Sequence, residues 1–295
     1  MKPFEYRSPT SIDEVVALLA DKGERARPLA GGTDLLVQCR RGLLAVDLLV
    51  DVKRIHELNR IAFDPVDGLT VGAAVPCARL CEQPDVRRFY PGLVDAVSLI
   101  GGPAIQERAT LGGNLCNAAP SADSIPAMIV LGAVCMVAGP GGIRILPVAT
   151  FCTGPGRTVL GKDEMLVSIH FPVPTPHCGA RYLRFTPRRE MDIAVAGAGV
   201  WIALSDDHAH ITDARIALAA VAPTPLVVEA ASSALVGRPP TEAAFAEAAR
   251  LAQESAYPIT DVRGTEAQRR HLVGVLAKRA LCGAASRAKG EGLDV

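Results

Sequence analysis

Apolar residues in the first fifty positions alternate between two spacings. Ile12, Val15, Val16 and Leu19 recur at helical intervals and predict a helix with one buried face. Ser11-Ile12-Asp13-Glu14 has the form of a capping box at its start, and Gly23 can end it. Phe4 to Arg7, Arg27 to Ala30 and the apolar run Val46 to Val52 read as strands, and Asp34 to Arg41 as a second helix. This is a β-α-β-α-β unit. From residue 54 the pattern changes. Ile61-Ala62-Phe63 and Leu69-Thr70-Val71 flank the turn Asp67-Gly68, and Val134 to Val137 and Ile143 to Leu146 flank Gly139 to Gly142; both predict hairpins. Between them Cys77 to Glu82 and Asp85 to Ile100 read as helices, stopped by Gly101-Gly102-Pro103. Met165 to Phe171 alternates as a strand. Pro172 to Pro176 looks like a linker. Beyond it Arg181 to Phe185, Val195 to Leu204 and Ile211 to Val221 are strand candidates, and helices start near Thr241 and Thr265. The expected organisation is a domain over 1–175, with lobes of about 1–53 and 54–175, then an α+β domain over 176–295.

Inside this pattern lies Pro28-Leu29-Ala30-Gly31-Gly32-Thr33-Asp34-Leu35-Leu36, a strand that runs into a glycine pair and then a helix. Glycine allows φ > 0 and a close approach of backbone. Free N–H groups at such a turn suit an anion. One glycine pair is a weak signal, but Thr110-Leu111-Gly112-Gly113-Asn114 repeats it about eighty residues on. The two stretches together predict a clamp on one pyrophosphate, with Gly31, Gly32 and Thr33 facing the phosphates. A bulky residue at Gly32 or Gly113 would then stand where backbone must meet phosphate. Asp34 has the wrong sign for a diphosphate, so it should cap the following helix or accept from a ribose hydroxyl. Asp123, in a polar turn, suits sugar or ribityl hydroxyls or a plain Asx-turn.

Composition narrows the partners. The 295 residues are 49% hydrophobic and only 4% aromatic, so the core is built mainly from Ala, Val, Leu and Ile. Lys+Arg and Asp+Glu are both 31, and this zero balance speaks against a nucleic-acid partner. It suits a subunit that lives in a complex. No stretch reaches the ~18 apolar residues of a membrane span; Ile125 to Ala138 comes nearest and contains Gly132. The first residues carry an early acid and no apolar core of a signal peptide, and the chain is expected in the cytoplasm. Eight cysteines form no C-x-x-C pair and read as reduced core thiols, Cys77 and Cys81 sharing a helical face. His208 and His210 read as a solvated hairpin tip rather than a metal pair, and Arg188-Arg189-Glu190 as an anion contact or a strand cap. The G-x-G-x-x-G, Walker A, G-x-S-x-G and H-E-x-x-H patterns are absent.

Three segments carry a resemblance: Leu29 to Leu36, Thr110 to Asn114, and Arg188-Arg189-Glu190-Met191-Asp192-Ile193-Ala194. Together, and in this order along nearly the whole chain, they resemble the FAD-binding medium subunit of molybdenum hydroxylases. That group includes carbon monoxide dehydrogenase medium subunits, 4-hydroxybenzoyl-CoA reductase beta subunits and the flavin domain of xanthine dehydrogenase. The resemblance implies an α+β fold: a two-lobed FAD-binding domain of the vanillyl-alcohol-oxidase (PCMH) type and a small C-terminal α+β domain. It implies that Leu29, Ala30, Gly31, Gly32, Thr33, Asp34 and Leu35, with Thr110, Leu111, Gly112, Gly113 and Asn114, bind FAD. It places Asp123 on ribityl or ribose hydroxyls, Leu166 and Val167 by the adenine or ring edge, Ile100 against the flavin, and Arg184 where some relatives have a lysine. Ile100 and Met191 stand where xanthine dehydrogenases tend to have an aromatic residue and an acid, which leaves NAD, quinone, oxygen and a protein carrier open as acceptors. The cysteine-rich insertion of the reductase type is missing after Asn114. The implied function is electron transfer, from two-iron clusters through FAD to an external acceptor, with no catalytic acid or base in this chain. Molybdopterin and the 2Fe-2S clusters would belong to a large and a small partner, in a dimer of heterotrimers, cytoplasmic or brought to the inner face of the membrane by the complex. A self-contained FAD oxidoreductase and a non-enzymatic scaffold are the competing readings.

Overall fold

The computed structural model describes residues 2–188 and 191–291. The first lobe is a parallel sheet of β1 (Glu5–Arg7), β2 (Ala26–Leu29) and β3 (Leu48–Asp51), in the order β1-β3-β2. Helix α1 (Ile12–Lys22) connects β1 to β2, and α2 (Leu35–Arg40) connects β2 to β3. The Ser11 hydroxyl accepts from the Glu14 N–H at 3.3 Å, while Glu14 accepts from the Thr10 N–H, one residue before the expected box partner. Gly23 closes α1 at φ +56°, its N–H donating to Leu19. Val15 and Leu19 pack on Leu48 and Val50 of the central strand.

The second lobe is a five-stranded antiparallel sheet formed by β4 (Ile61–Asp64), β5 (Gly68–Gly72), β6 (Val134–Gly139), β7 (Gly142–Pro147) and β10 (Met165–Phe171), ordered β4-β5-β10-β6-β7. A small hairpin of β8 (Cys152–Gly154) and β9 (Arg157–Thr158) precedes β10. Between β5 and β6 run α3 (Cys77–Glu82), α4 (Pro84–Phe89), α5 (Pro91–Val97), α6 (Pro103–Gln106), α7 (Leu111–Asn117) and α8 (Ser124–Val130). The helix expected over Asp85 to Ile100 is two helices. Pro91 has no N–H to donate, so α4 ends at Tyr90 and α5 restarts with proline in its first turn. The apolar stretch Ile125 to Ala138 divides into α8, a turn with Gly132 at φ +71°, and β6.

The last part is an antiparallel sheet, β11 (Cys178–Phe185), β12 (Ala196–Leu204), β13 (Ile211–Ala219) and β14 (Leu226–Val227) in sequence order. Helices α9 (Glu229–Ser233), α10 (Glu242–Ser255) and α11 (Glu266–Ala288) follow. Strand β11 starts three residues before the expected Arg181. Every residue of β12 is buried, because the sheet is covered on both faces. Helices α10 and α11 pack on one face, and α5 and α8 of the second lobe on the other. Small residues set these distances. A Cβ on Gly199 would meet the Pro126 backbone at 2.9 Å, and one on Gly92 the Ala180 backbone at 3.0 Å.

Candidate functional site

Strand β2 ends in Leu29, whose side chain sits in a small core with Cys39, Val46 and Leu49, backed by Leu35. Leu29 is buried and Leu35 half-buried against that core. The chain then turns through Ala30 to Asp34. The N–H groups of Gly31, Gly32, Thr33, Asp34 and Leu35 find no acceptor among the described residues, and the next, Leu36, donates to Gly32. All five of those residues are at least partly exposed. Lys53 steadies the turn from below. Its Nζ donates to the Ala30 carbonyl at 3.3 Å and pairs with Asp51 at 2.8 Å. Burial pushes the Asp51 carboxyl up, but hydrogen bonds from Lys53 and the Tyr6 hydroxyl outweigh it and hold the group below its ordinary range. Asp34 occupies the N-cap position with helical backbone and makes no cap hydrogen bond, so the first of its two expected roles is not taken. The surrounding protein raises its carboxyl above the usual value by desolvation.

The second glycine stretch is not a loop. Thr110 is the N-cap of α7, its Oγ1 accepting from the Gly113 N–H at 2.9 Å, and Gly112 and Gly113 lie in the first turn. The residues at its start are fixed against the start of α3: Pro76 forms an isolated antiparallel bridge with Thr110, and the Cys77 N–H donates to the Ala109 carbonyl at 2.8 Å. Leu111 is a core residue. The structure brings the two stretches into backbone contact. A Cβ on Gly31 would overlap the Arg108 carbonyl oxygen and stand 3.1 Å from the Ala109 Cα. Gln38 of α2 also donates to Asn117 of α7 at 3.1 Å.

Each glycine also has a reason within the protein itself. The missing side chain of Gly31 faces Arg108 and Ala109, and that of Gly112 faces Ala73, 2.6 Å from its carbonyl oxygen. Gly32 is required by φ +77°, with Leu29 and Leu36 beside its Cβ position, and Gly113 is crowded only by the Thr110 hydroxyl at 2.9 Å. These glycines let protein approach protein. What the turn presents outward is N–H.

Asp123 precedes α8 and is buried at 7% exposure. Both of its oxygens are engaged. The Tyr182 hydroxyl donates to Oδ1 at 2.8 Å and Arg184 Nη1 to Oδ2 at 2.5 Å. Burial raises its carboxyl to about 6, against the lowering by Arg184 and Tyr182. The next residue, Ser124, donates its hydroxyl to Asn114 Oδ1 at 2.7 Å and so ties α8 to α7. Tyr182 and Ser124 escaped the sequence reading. Tyr182 had one available signal: two residues before Arg184 on a strand, it shares that residue's face.

The remaining positions divide. Leu166 and Val167 are 4% exposed each, with side chains in the cores of the second lobe and of the lobe boundary, so only their backbone could border a ring. Ile100 is partly exposed beside the turn at Gly101 and Gly102. The Met191 sulfur accepts from the Gly102 N–H at 2.9 Å, which joins the third sequence segment to this turn. Arg188 pairs with Asp192 at 3.5 Å; Arg189 and Glu190 lie outside the described residues. His208 meets His177 at 2.9 Å between ring nitrogens, not His210. Among the described residues no group of three or more His, Cys, Asp and Glu could hold a metal. All eight cysteines are free, and burial pushes the Cys77, Cys116 and Cys135 thiols to about 12.

A family model described as "FAD binding domain in molybdopterin dehydrogenase" matches residues 2–174, and one described as "CO dehydrogenase flavoprotein C-terminal domain" matches residues 181–284. The chain belongs to this family of FAD-binding medium subunits. It is 31% identical over 287 residues, 97% of either chain, to the putative xanthine dehydrogenase FAD-binding subunit of Escherichia coli. It is 34% identical over 284 residues, 96% of this chain and 98% of the other, to the carbon monoxide dehydrogenase medium chain of Hydrogenophaga pseudoflava. The solved structure of reconstituted CO dehydrogenase from Oligotropha carboxidovorans contains a chain that superposes with a TM-score of 0.92 at 33% identity, covering 97% of this chain and 99% of that one. The FAD subunit described here is thus an oxidoreductase component, a flavoprotein of a multi-subunit molybdenum-dependent dehydrogenase. Its fold is the two-lobed FAD-binding domain followed by the small C-terminal domain. No helix among the described residues is long and apolar enough to cross a membrane.

Proposed function

We propose that this subunit holds FAD between the turn Ala30 to Leu35 and the first turn of α7, Thr110 to Asn114, and carries electrons from a partner's iron–sulfur clusters to an external acceptor. The observation that carries the assignment is the row of N–H groups from Gly31 to Leu35 that have no acceptor among the described residues, held against the second glycine segment by backbone contact. N–H groups left free at the start of a helix favour an anion there. Among the described residues the one Lys or Arg side chain that bonds to this turn is Lys53, on a carbonyl, and the turn's own N–H groups contribute positive potential.

In this reading the N–H row orients the pyrophosphate, and Asn114, fixed by Ser124, directs its amide N–H groups at the same place. Asp123 accepts from ribityl or ribose hydroxyls through lone pairs that Tyr182 and Arg184 leave free. Ile100 and the backbone of Leu166 and Val167 border the ring system, and Arg184 keeps a positive charge near it. When bound, FAD supplies the redox chemistry. The chain's own work is to bind, orient and exclude water, which fits the lack of a nucleophile or base pair at the turn. The FAD-binding domain is proposed to span 1–175 and the C-terminal domain 176–295. The partners are a large molybdopterin-binding subunit and a small 2Fe-2S subunit, assembled as a dimer of heterotrimers in the cytoplasm. Free thiols throughout and a zero formal charge support that setting.

Purification of the chain with its neighbouring subunits tests this directly. One flavin per chain by absorbance is expected. A protein that takes up no FAD, either from the cell or on reconstitution, would overturn the reading.

A further inference from the structure

We propose that Tyr182 is a positioning residue of the flavin site, through which the C-terminal domain fixes the Asp123 carboxylate and so sets FAD affinity. The inference rests on the FAD reading above and goes beyond it. The carboxylate stands at the start of α8 in the FAD-binding half of the chain, and both of its partners stand on β11 in the other half. Residues 182 and 184 are two apart on that strand, so their side chains leave the same face. One bond to each oxygen blocks rotation about the last Asp123 torsion. A carboxylate held at both ends presents its remaining lone pairs in one direction, which is what a hydroxyl acceptor needs.

The arrangement reaches one strand further. Gly197 of β12 lies in register with Arg184. A Cβ there would overlap the Tyr182 hydroxyl oxygen and stand 3.2 Å from Cζ. Glycine at 197 is therefore the space the phenol occupies. Tyr182 is 1% exposed, and its hydroxyl has Asp123 as its acceptor. Among the described residues the charged or titratable groups acting on the carboxylate are Arg184 and Tyr182, both on β11.

A merely structural phenol and a positioning phenol make different forecasts for binding. The full-length chain is stripped of flavin and titrated with FAD from pH 5 to 8, as wild type, Tyr182→Phe, Asp123→Asn, the double variant and Thr241→Ala. The last removes the N-cap of α10, far from the carboxylate, and serves as a stability control. Tyr182→Phe keeps the ring and deletes one bond to a charged group, so FAD affinity should fall about tenfold at pH 7.5. Without that donor the ionised carboxylate is less favoured, so the pH midpoint of FAD binding should move upward. In the Asp123→Asn background, where no carboxyl titrates, the same change should move no pH midpoint, and Thr241→Ala should leave affinity and midpoint unchanged. Wild-type affinity and midpoint in Tyr182→Phe, or an equal loss in Thr241→Ala, would overturn the inference while the flavin site stands. A wild-type chain that binds no FAD would overturn both.

Discussion

At the scale of single residues the site depends on where absent side chains would have pointed. The two glycine pairs are plain in the sequence, and so is their pairing with Thr33 and Asn114. Their geometric reasons are not, because a sequence shows that Cβ is missing but not which neighbour fills the space. Gly31 and Gly112 face backbone from distant segments, and no local spacing reports that. Gly31→Val should force the turn away from Arg108 and Ala109, and FAD content per chain, read by absorbance, should fall to near zero. Gly32→Ala must adopt φ +77° with a Cβ, at a cost of about 1 kcal/mol, measurable in urea unfolding. The pH dependence of Asp123 has a definite sign. Its carboxyl is raised from 3.8 to about 6 on folding, chiefly by burial. The folded state then holds that proton more tightly than the unfolded state. Its stabilising contribution is full below pH 3.8 and is lost as pH rises through about 6. The flavin-free wild type should lose stability relative to Asp123→Asn between pH 4.5 and 7, by urea unfolding at both.

At the scale of elements, periodicity located the strands well and the helices less well. Met165 to Phe171 is a strand as expected and the central one of its sheet, though it does not alternate in burial: every residue but His170 is buried. The long helix over 85–100 failed because apolar spacing continues through Pro91 while the backbone cannot. Helix α8 went unseen because all but one of its residues are buried, so it has no polar face to mark a period. The second glycine stretch looked like a loop for a related reason: glycine lowers helix propensity, yet a threonine cap and tertiary packing hold it helical. That cap is a testable joint. Thr110→Ala removes the acceptor for Gly113 and should cost about 1 kcal/mol in urea unfolding. It should also weaken FAD retention, since the same turn carries Asn114. Thr110→Ser should restore both.

At the scale of the whole molecule the second lobe and the final domain share an ionic joint as well as a packed face. Asp95 on α5 accepts from Arg181 on β11 at 3.2 Å and from Arg287 on α11 at 2.6 and 2.9 Å. It also takes the Tyr182 backbone N–H at 3.3 Å. The group is largely shielded, so Asp95→Ala leaves two arginines without their counter-charge and should cost about 3 kcal/mol in urea unfolding. The proline-rich stretch Pro172 to Pro176 stands out in composition, whereas the joint leaves no mark there. Its members lie 86 and 192 residues apart, and nothing in their surroundings marks them as partners.

The position of Tyr182 and Arg184 across the chain from Asp123 also bears on how such subunits can be recombined. A chimera that joins one FAD-binding half to a relative's C-terminal half inherits a carboxylate from one parent and its two donors from the other. If the donor strand brings a residue that cannot reach, the graft buries a lone negative charge. Both halves can then be well made and the hybrid still fail to retain flavin. The workable unit of exchange is therefore not the domain. A crossover placed after Phe185 would keep carboxylate, phenol and guanidinium together, but it would part the phenol from the Gly197 that makes room for it. A crossover beyond β12 keeps all four, at the expense of cutting the sheet through its middle.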